Sequence, residues 1–323
     1  MHKGKSLGST FATLLVFATP LIAQFGGPPL PESARPAQSL IREGKLDEAL
    51  ALYQKALADS PDSLPLHSAA GNLLDLMGQA AEAHAQFARA IELATSPDAK
   101  SQQQRAMAMS YAFAGDCQNT VKYEQMVIAY WVTREKEDPA NAAYQEGEMA
   151  DEAARVCIDN GDLDSAAKWY KAGHDYGLKQ PDITPVLADL WEFRWEHAAA
   201  RIAARRGNKA EAQGHIAAAK AILDKDDQLA HGSGRGESQS QFMPYLTGYV
   251  ALYLGDYKGA LVDLQKASQN DPFYQCLLGQ TYEKIGEKDK ATECYRKAAG
   301  TTAHNPPAAF ARPFARKKLG APE

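Results

Sequence analysis

The sequence repeats one pattern of glycine, alanine and large apolar residues. Four segments show it most clearly: 44–61, 78–93, 255–272 and 286–300. Counted from the first glycine of each segment, alanine stands five and twelve residues on and a large apolar residue nine residues on: Ala49, Tyr53 and Ala56; Ala83, Phe87 and Ala90; Ala260, Leu264 and Ala267; Ala291, Tyr295 and Ala298. These spacings place the three residues on one face of an α-helix. The pattern therefore predicts helices that bury a face of alternating small and large side chains.

A complementary set of residues precedes each turn glycine. Gly71, Gly248 and Gly279 stand seven residues before it, at the spacing expected for the preceding helix. A small residue lets two antiparallel helices approach closely, and a large residue on the partner helix fills the space between them. Each turn is therefore expected to join the two helices of a hairpin.

Weaker copies begin at Gly115, Gly161 and Gly207, so that seven turn glycines follow one another at intervals of 34, 37, 46, 46, 48 and 31 residues. Over about 37–300 the chain resembles the tetratricopeptide-repeat (TPR) family, whose 34-residue unit carries these positions and a proline after its second helix. Pro61 and Pro272 stand at that place. The resemblance implies an all-α fold, an α-solenoid of about seven TPR-like antiparallel helix hairpins, with longer central repeats.

The end of the chain, 301–323, is predicted to hold a capping helix and a tail. Its segment NPPAAFARPFARKKLG is expected to cover the last hairpin and to present a polar outer face.

The first residues are typical of an export signal. A basic start is followed by a short apolar run over 11–22, so 1–23 is predicted to be a cleaved signal peptide, and a membrane anchor is the competing interpretation. The residue after the predicted cleavage point is Gln24, not the cysteine of a lipoprotein. A Pro/Gly-rich linker over 24–36 follows. We therefore expect a periplasmic or secreted protein with no stable membrane span after cleavage.

The net charge limits the possible functions, and the cysteines limit the possible disulfides. The net charge of −5 argues against nucleic-acid binding, which needs a dominant basic face. Export would make disulfides possible among Cys117, Cys157, Cys276 and Cys294. Consecutive helices of the array would bring Cys117 to Cys157, whereas Cys276 and Cys294 are expected to stay unpaired on diverging faces. The alternative is that all four are small buried apolar residues.

Catalytic and metal-binding spacings are absent from the sequence. It contains no HExxH, GxSxG, phosphate-loop or CxxC pattern, and its histidines form no helical pair. The glycine-rich segment 231–238 is interpreted as a linker between repeats. No enzyme activity, cofactor or metal is predicted.

The TPR resemblance also implies an inner groove lined by the first helix of each hairpin. The positions carried over in this way are Ser68, Asn72, Asp75, Glu148, Asp151, Arg155, Arg194, His197, Arg201, Phe242, Tyr245, Tyr249 and Leu252. Ligand binding is predicted for seven of them, Arg155, Arg194, His197, Arg201, Phe242, Tyr245 and Tyr249. Arginine forks beside aromatic faces suit a peptide that carries a carboxylate and an apolar side chain. The alternative is that Arg194 and Arg201 pair with Glu192 and Glu196 on a solvated face and that the tyrosines pack between repeats.

The predicted function is that of an exported scaffold that binds a protein or peptide partner through its concave face. Two other functions stay open: a structural subunit of a cell-envelope complex, and an enzyme whose unrecognised active site lies around 231–240.

Overall fold

A computed structural model describes residues 30–232 and 238–320 of the protein. This part contains sixteen α-helices and no β-strand. The helices are α1 (Pro36–Arg42), α2 (Leu46–Asp59), α3 (Leu64–Met77), α4 (Ala80–Leu93), α5 (Pro97–Phe113), α6 (Cys117–Arg134), α7 (Pro139–Asn160), α8 (Leu163–Leu178), α9 (Pro185–Arg205), α10 (Lys209–Lys225), α11 (Asp227–His231), α12 (Met243–Tyr253), α13 (Tyr257–Leu264), α14 (Pro272–Ile285), α15 (Lys288–Ala299) and α16 (Pro306–Lys318). Short 3₁₀ turns lie at Glu32–Ala34 and Gln239–Phe242. The predicted signal peptide and the first part of the linker, 24–29, lie outside the described residues, as does the centre of the 231–240 segment.

Seven pairs of consecutive helices pack as hairpins. They are α1 with α2, α3 with α4, α5 with α6, α7 with α8, α9 with α10, α12 with α13, and α14 with α15. The short α11 follows the fifth hairpin and α16 follows the seventh. The predicted all-α solenoid of about seven hairpins with a C-terminal helix is confirmed, and helices of up to 22 residues in the middle of the chain absorb the longer repeat intervals.

The seven glycines that mark the repeats all lie at the turns between paired helices and all have positive φ angles. At Gly78, where φ is 83°, the backbone amide donates to the carbonyl of Asp75 and the next amide donates to the carbonyl of Leu74. These bonds satisfy carbonyls at the end of α3, and glycine adopts the left-handed conformation at little cost.

Small residues face large ones inside each hairpin, as the sequence predicts. A Cβ atom added at Gly71 of α3 would lie 2.7 Å from Cζ of Phe87 in α4. Gly279 of α14 faces Tyr295 of α15 in the same way, and a Cβ atom added there would overlap the tyrosine ring. The close helix approach therefore depends on the absence of a side chain at these glycines.

The first helices of the hairpins lie on the inner side of the array. Arg155 of α7 lies over the ring of Phe273 in α14, with 4.2 Å from the guanidinium carbon to the ring centroid, although two hairpins lie between theirs along the chain. The predicted capping helix α16 packs on α14 and α15, and it also contacts α5 and α7. It thus reaches beyond the last hairpin, because alanines and phenylalanines make it apolar on more than one side.

The cysteines behave as the repeat geometry predicts. Cys117, at the start of α6, forms a disulfide with Cys157 near the end of α7. Cys276 and Cys294 are buried and unpaired. In 30–232 and 238–320, none of the helices has the length and apolar character needed to cross a membrane.

Candidate functional site

A cleft of about 660 Å³ lies between α16 and the C-terminal ends of α3, α5 and α7. We call it the α16 cleft. Its position follows from the turns, because three first helices end side by side and α16 runs past their ends. Apolar side chains make up much of its lining: Leu76, Met77, Phe113, Val156, Phe310 and Phe314. Phe310 and Phe314 stand one helical turn apart on α16 and stack with 5.1 Å between ring centroids.

The helix α16 is tied to the second hairpin by polar contacts. His304, just before α16, pairs through Nε2 with Oδ2 of Asp75 at 2.7 Å, and its ring stacks on Phe113 with 4.9 Å between centroids. The other oxygen of Asp75 accepts a hydrogen bond from the hydroxyl of Ser110 at 2.7 Å. Nε of Arg312 donates to the carbonyl of Leu76 at 2.6 Å. These bonds fix the width of the cleft between α16 and α3.

The charged groups that line the cleft are unequally paired. Both carboxylates have partners, since Asp75 has those just named and Asp159 accepts from Nε of Arg155 at 3.1 Å. Arg312 is only 7% exposed, and its bonds go to backbone carbonyls, those of Leu76, Ala299 and Thr301. Burial, together with the neighbouring charge of Arg316, lowers the pKa of Arg312 to about 10.

Neither arginine of α16 forms an ion pair with a carboxylate in the described part of the chain, and Arg316 is half-buried at the edge of the cleft. Within the described residues, the lining therefore holds two arginines without a carboxylate counter-charge beside its aromatic surface.

Four of the seven residues predicted to bind a ligand lie in the protein interior. His197, Arg201, Tyr245 and Tyr249 are each at most 8% exposed. Arg201 donates to the hydroxyl of Tyr245 at 3.1 Å and to that of Tyr170 at 3.0 Å, so it joins α8, α9 and α12. Burial and the charges of Arg201 and Arg155 lower the pKa of His197 well below its ordinary value, which keeps its ring neutral.

The other three lie closer to the surface. Arg194 forms an ion pair with Glu148 of the preceding first helix and lies 4.7 Å from the ring centroid of Trp191. Arg155 bonds Asp159, and Phe242 is half-buried at the end of a 3₁₀ turn. Glu192 and Glu196, considered above as arginine partners, pair with His174 and His215 instead. The tyrosines pack between repeats, as the alternative interpretation of the sequence holds. Ligand binding by the seven residues stays a prediction.

Next to this cluster, α5, α6 and α7 carry an ion pair and several buried carboxyls. Arg105 of α5 pairs with Glu152 of α7 through two hydrogen bonds, one of them 3.0 Å from Nε to Oε2. Burial raises the pKa of Asp151 to about 7, although Arg194 opposes the shift, and burial with the nearby Glu135 raises the pKa of Glu146 to about 7. Burial and the charge of Glu152 raise the pKa of Glu124 well above its ordinary value.

These contacts explain why the sequence pointed to a different part of the inner face. The helix ends and α16 come together only in three dimensions, and of the positions carried over from the TPR resemblance only Asp75 lies among them. One local signal was available: Phe310 and Phe314 share a spacing of four residues, and so do Arg312 and Arg316, within a segment interpreted as a cap with a polar outer face. In 30–232 and 238–320 no group of three or more His, Cys, Asp or Glu residues is arranged to hold a metal ion.

The chain is similar to known repeat proteins. Family models described as tetratricopeptide repeat match residues 40–108 and 274–303. A TPR repeat-containing protein of Methanocaldococcus jannaschii is 37% identical over 62 residues, which is 19% of this chain and 20% of that protein. The match thus spans about a fifth of the length of this curated relative.

The chain is also similar to solved structures of low sequence identity. A tetratricopeptide repeat protein from Parabacteroides merdae has a TM-score of 0.46 and 15% identity, over 88% of this chain and 97% of that one. The apo form of RapI has a TM-score of 0.45 and 12% identity, over 89% and 97%. A Rap protein complexed with Competence and Sporulation Factor has a TM-score of 0.42 and 13% identity, also over 89% and 97%.

Proposed function

We propose that this tetratricopeptide-repeat protein is an exported, non-enzymatic scaffold that holds a segment of a partner protein in the α16 cleft. One observation carries the proposal: the inner side of the repeat array keeps an apolar cleft of about 660 Å³ that α16 borders but does not fill. Ligand sites typically measure about 300–1,000 Å³ and combine apolar walls with a few polar groups.

The size of the cleft sets the form of the partner. A standard protein interface buries about 800 Å² on each side. A cleft bounded by one helix and three helix ends offers less, so the partner inserts a short segment rather than a broad face. Rigid walls favour such binding, because little conformational entropy is lost when the segment docks.

The groups that line the cleft suit the binding of a partner better than the catalysis of a reaction. Asp75 and Asp159, its two carboxylates, are each engaged by protein groups, so neither is poised as a general base.

Export is part of the proposal and has separate support. Disulfides persist in oxidising compartments and are rare in the cytosol, which agrees with a bond between Cys117 and Cys157 in an exported chain. Mass spectrometry of the protein from the envelope fraction of its source should give an N-terminus at Gln24, free or cyclised to pyroglutamate. An uncleaved chain in the envelope would favour the membrane anchor over a cleaved signal, and a cytosolic protein would contradict export. Either result leaves the binding proposal to its own test.

The binding test uses a variant that fills the cleft without disturbing the core. Ala114 is exposed, lies in the cleft wall directly after α5 and has ordinary right-handed backbone angles, so Ala114→Trp adds a large side chain at the cleft mouth. Ala129→Trp on the exposed face of α6, outside the cleft, is the matched control. Variants at Arg201 or Tyr249 are unsuitable, because both side chains are buried.

A photo-crosslinking amino acid at Gln79, an exposed residue of the cleft wall, then reports occupancy in the envelope fraction. We expect a crosslinked partner that the Ala114→Trp change removes and the Ala129→Trp change leaves intact. A partner captured equally by all three proteins would place the interaction elsewhere on the scaffold.

A further inference from the structure

We infer that the segment held in the α16 cleft is acidic and carries a large apolar side chain next to its carboxylates. This inference rests on the proposed function and adds the chemistry of the partner. It follows from two stripes of side chains on α16, one cationic and one aromatic, that border the same space.

The cationic stripe consists of Arg312 and Arg316, one helical turn apart, and both line the cleft. Burying a cation without a carboxylate is costly, because backbone carbonyls replace only part of its hydration. Arg312 is in this situation, with backbone carbonyls as its hydrogen-bond partners within the described residues. An incoming carboxylate would supply the missing counter-charge.

The position of Arg312 sets it apart from an ordinary surface cation. Basic residues in the last turn of a helix are favourable there because they offset the negative end of the helix dipole, and this accounts in part for Arg316 and Lys317. Arg312 lies in the middle of α16, so the dipole of its own helix does not account for it. Its bonds reach carbonyls at the ends of α3 and α15, and its side chain also lines the cleft.

The carboxylates already in the cleft do not cancel this charge. Asp75 is held by His304 and Ser110, and Asp159 is held by Arg155. Both side chains are at most 4% exposed, so neither reaches toward α16 as a solvated partner. The accessible charge of the lining is consequently positive.

The aromatic stripe selects the apolar part of the partner. Phe310 and Phe314 stack on each other and line the cleft together with Leu76, Met77 and Phe113, while their rings also pack on Phe273 of α14 and Tyr295 of α15. Removing such surface from water is the main source of affinity in small interfaces. A leucine or aromatic side chain in the partner would supply the apolar surface that these residues bury.

Labelled peptides of equal length test the inference by fluorescence anisotropy on the full chain. One alternates glutamate with leucine, the second alternates lysine with leucine, and the third alternates glutamate with serine. We expect the glutamate–leucine peptide to bind at least about tenfold more tightly than either of the others, since one partly desolvated charge pair is worth about a factor of ten.

Two charge reversals on α16 locate the effect. Arg316→Glu, in the cleft, should weaken binding of the glutamate–leucine peptide by about tenfold or more. Lys318→Glu is the matched control, because Lys318 lies on the same helix outside the cleft, where it pairs with Glu283; it should change the affinity by less than about twofold.

The outcomes separate this inference from the function on which it rests. Equal or tighter binding of the lysine–leucine peptide, abolished by Ala114→Trp, would overturn the acidic partner and leave the cleft as the binding site. An affinity for the glutamate–leucine peptide that stays the same in the Arg316→Glu or the Ala114→Trp variant would also overturn the inference. Absence of peptide binding together with no crosslink at Gln79 would overturn both.

Discussion

At the scale of single residues, the hairpins depend on glycines that face large side chains. Gly71→Ala should lower the free energy of unfolding by about 1–3 kcal/mol, because the new methyl group overlaps the buried ring of Phe87. Thermal melting followed by circular dichroism measures the change.

The control for this substitution is a glycine in a helix with nothing against it. Gly214 of α10 is exposed, and a Cβ atom there would meet no atom within 4 Å. Gly214→Ala should therefore stabilise the protein by about 0.5–1 kcal/mol through helix propensity alone. Equal effects at the two sites would show that the fit between Gly71 and Phe87 does not limit stability.

Asp151 gives stability a pH dependence of unusual sign. Burial raises its pKa to about 7 in the folded protein, while the unfolded chain keeps an ordinary value, so the folded state holds a proton that the unfolded state has lost. The stabilising effect of that proton is complete below about pH 4 and disappears as the pH rises through about 7. Asp151→Asn keeps the shape of the side chain but removes the titration.

Chemical denaturation at a series of pH values tests the effect of Asp151. Between about pH 5 and about pH 8 the wild-type protein should lose on the order of 1–3 kcal/mol more stability than the Asp151→Asn variant. Glu146 and Glu124 also have raised pKa values, so a shallower slope remains in the variant. Parallel stability curves would show that Asp151 titrates alike in both states.

At the scale of helices, the sequence predicted the pairs inside hairpins well. The turn glycines, the facing alanines and the one bonded cysteine pair all depend on residues close together in the chain or in consecutive helices. The inner-face residues were harder to predict, because a helical period shows which side of a helix is polar but not whether another helix covers it. Arg201 is the clear case, since its partners come from α8 and α12.

The disulfide belongs to this scale because it joins the start of α6 to the end of α7. Cys117→Ser with Cys157→Ser should reduce stability by about 2–4 kcal/mol, the usual range for a loop of this kind, and adding a thiol reductant to the wild-type protein should have the same effect. Thermal melting with and without reductant measures it.

Peptide mapping without reductant checks the pairing itself. Cys276 and Cys294 should be alkylated once the chain is unfolded, and the peptides that contain Cys117 and Cys157 should stay linked. A bridge between Cys276 and Cys294 would contradict both the structure and the repeat register.

At the scale of the whole molecule, the sequence did not allow us to predict that the last helix, α16, packs back against the second hairpin and closes the array. The bonds that hold α16 against α3 join residues 229 and 236 positions apart, His304 to Asp75 and Arg312 to Leu76. A repeat pattern describes how each hairpin packs on the next one. It contains no information on whether the accumulated curvature brings the last helix back to the second hairpin.

The closed arrangement predicts what happens when the last helix is removed. A chain that ends at Ala303 loses α16 and His304, and the apolar side chains of Leu76, Phe113 and Val156 then face water. We expect a larger radius of gyration in small-angle X-ray scattering, because the contacts that tie the seventh hairpin to the second are gone, and stronger binding of the dye ANS to the exposed surface. Lys318→Ala, which keeps α16 in place and removes only the ion pair with Glu283 and the contacts of the ammonium with the rings of Tyr295 and Phe314, should leave both measurements unchanged. A shortened chain with the dimensions of the full-length protein would mean that the hairpins set the curvature alone, and α16 would then rest on the inner face without closing it.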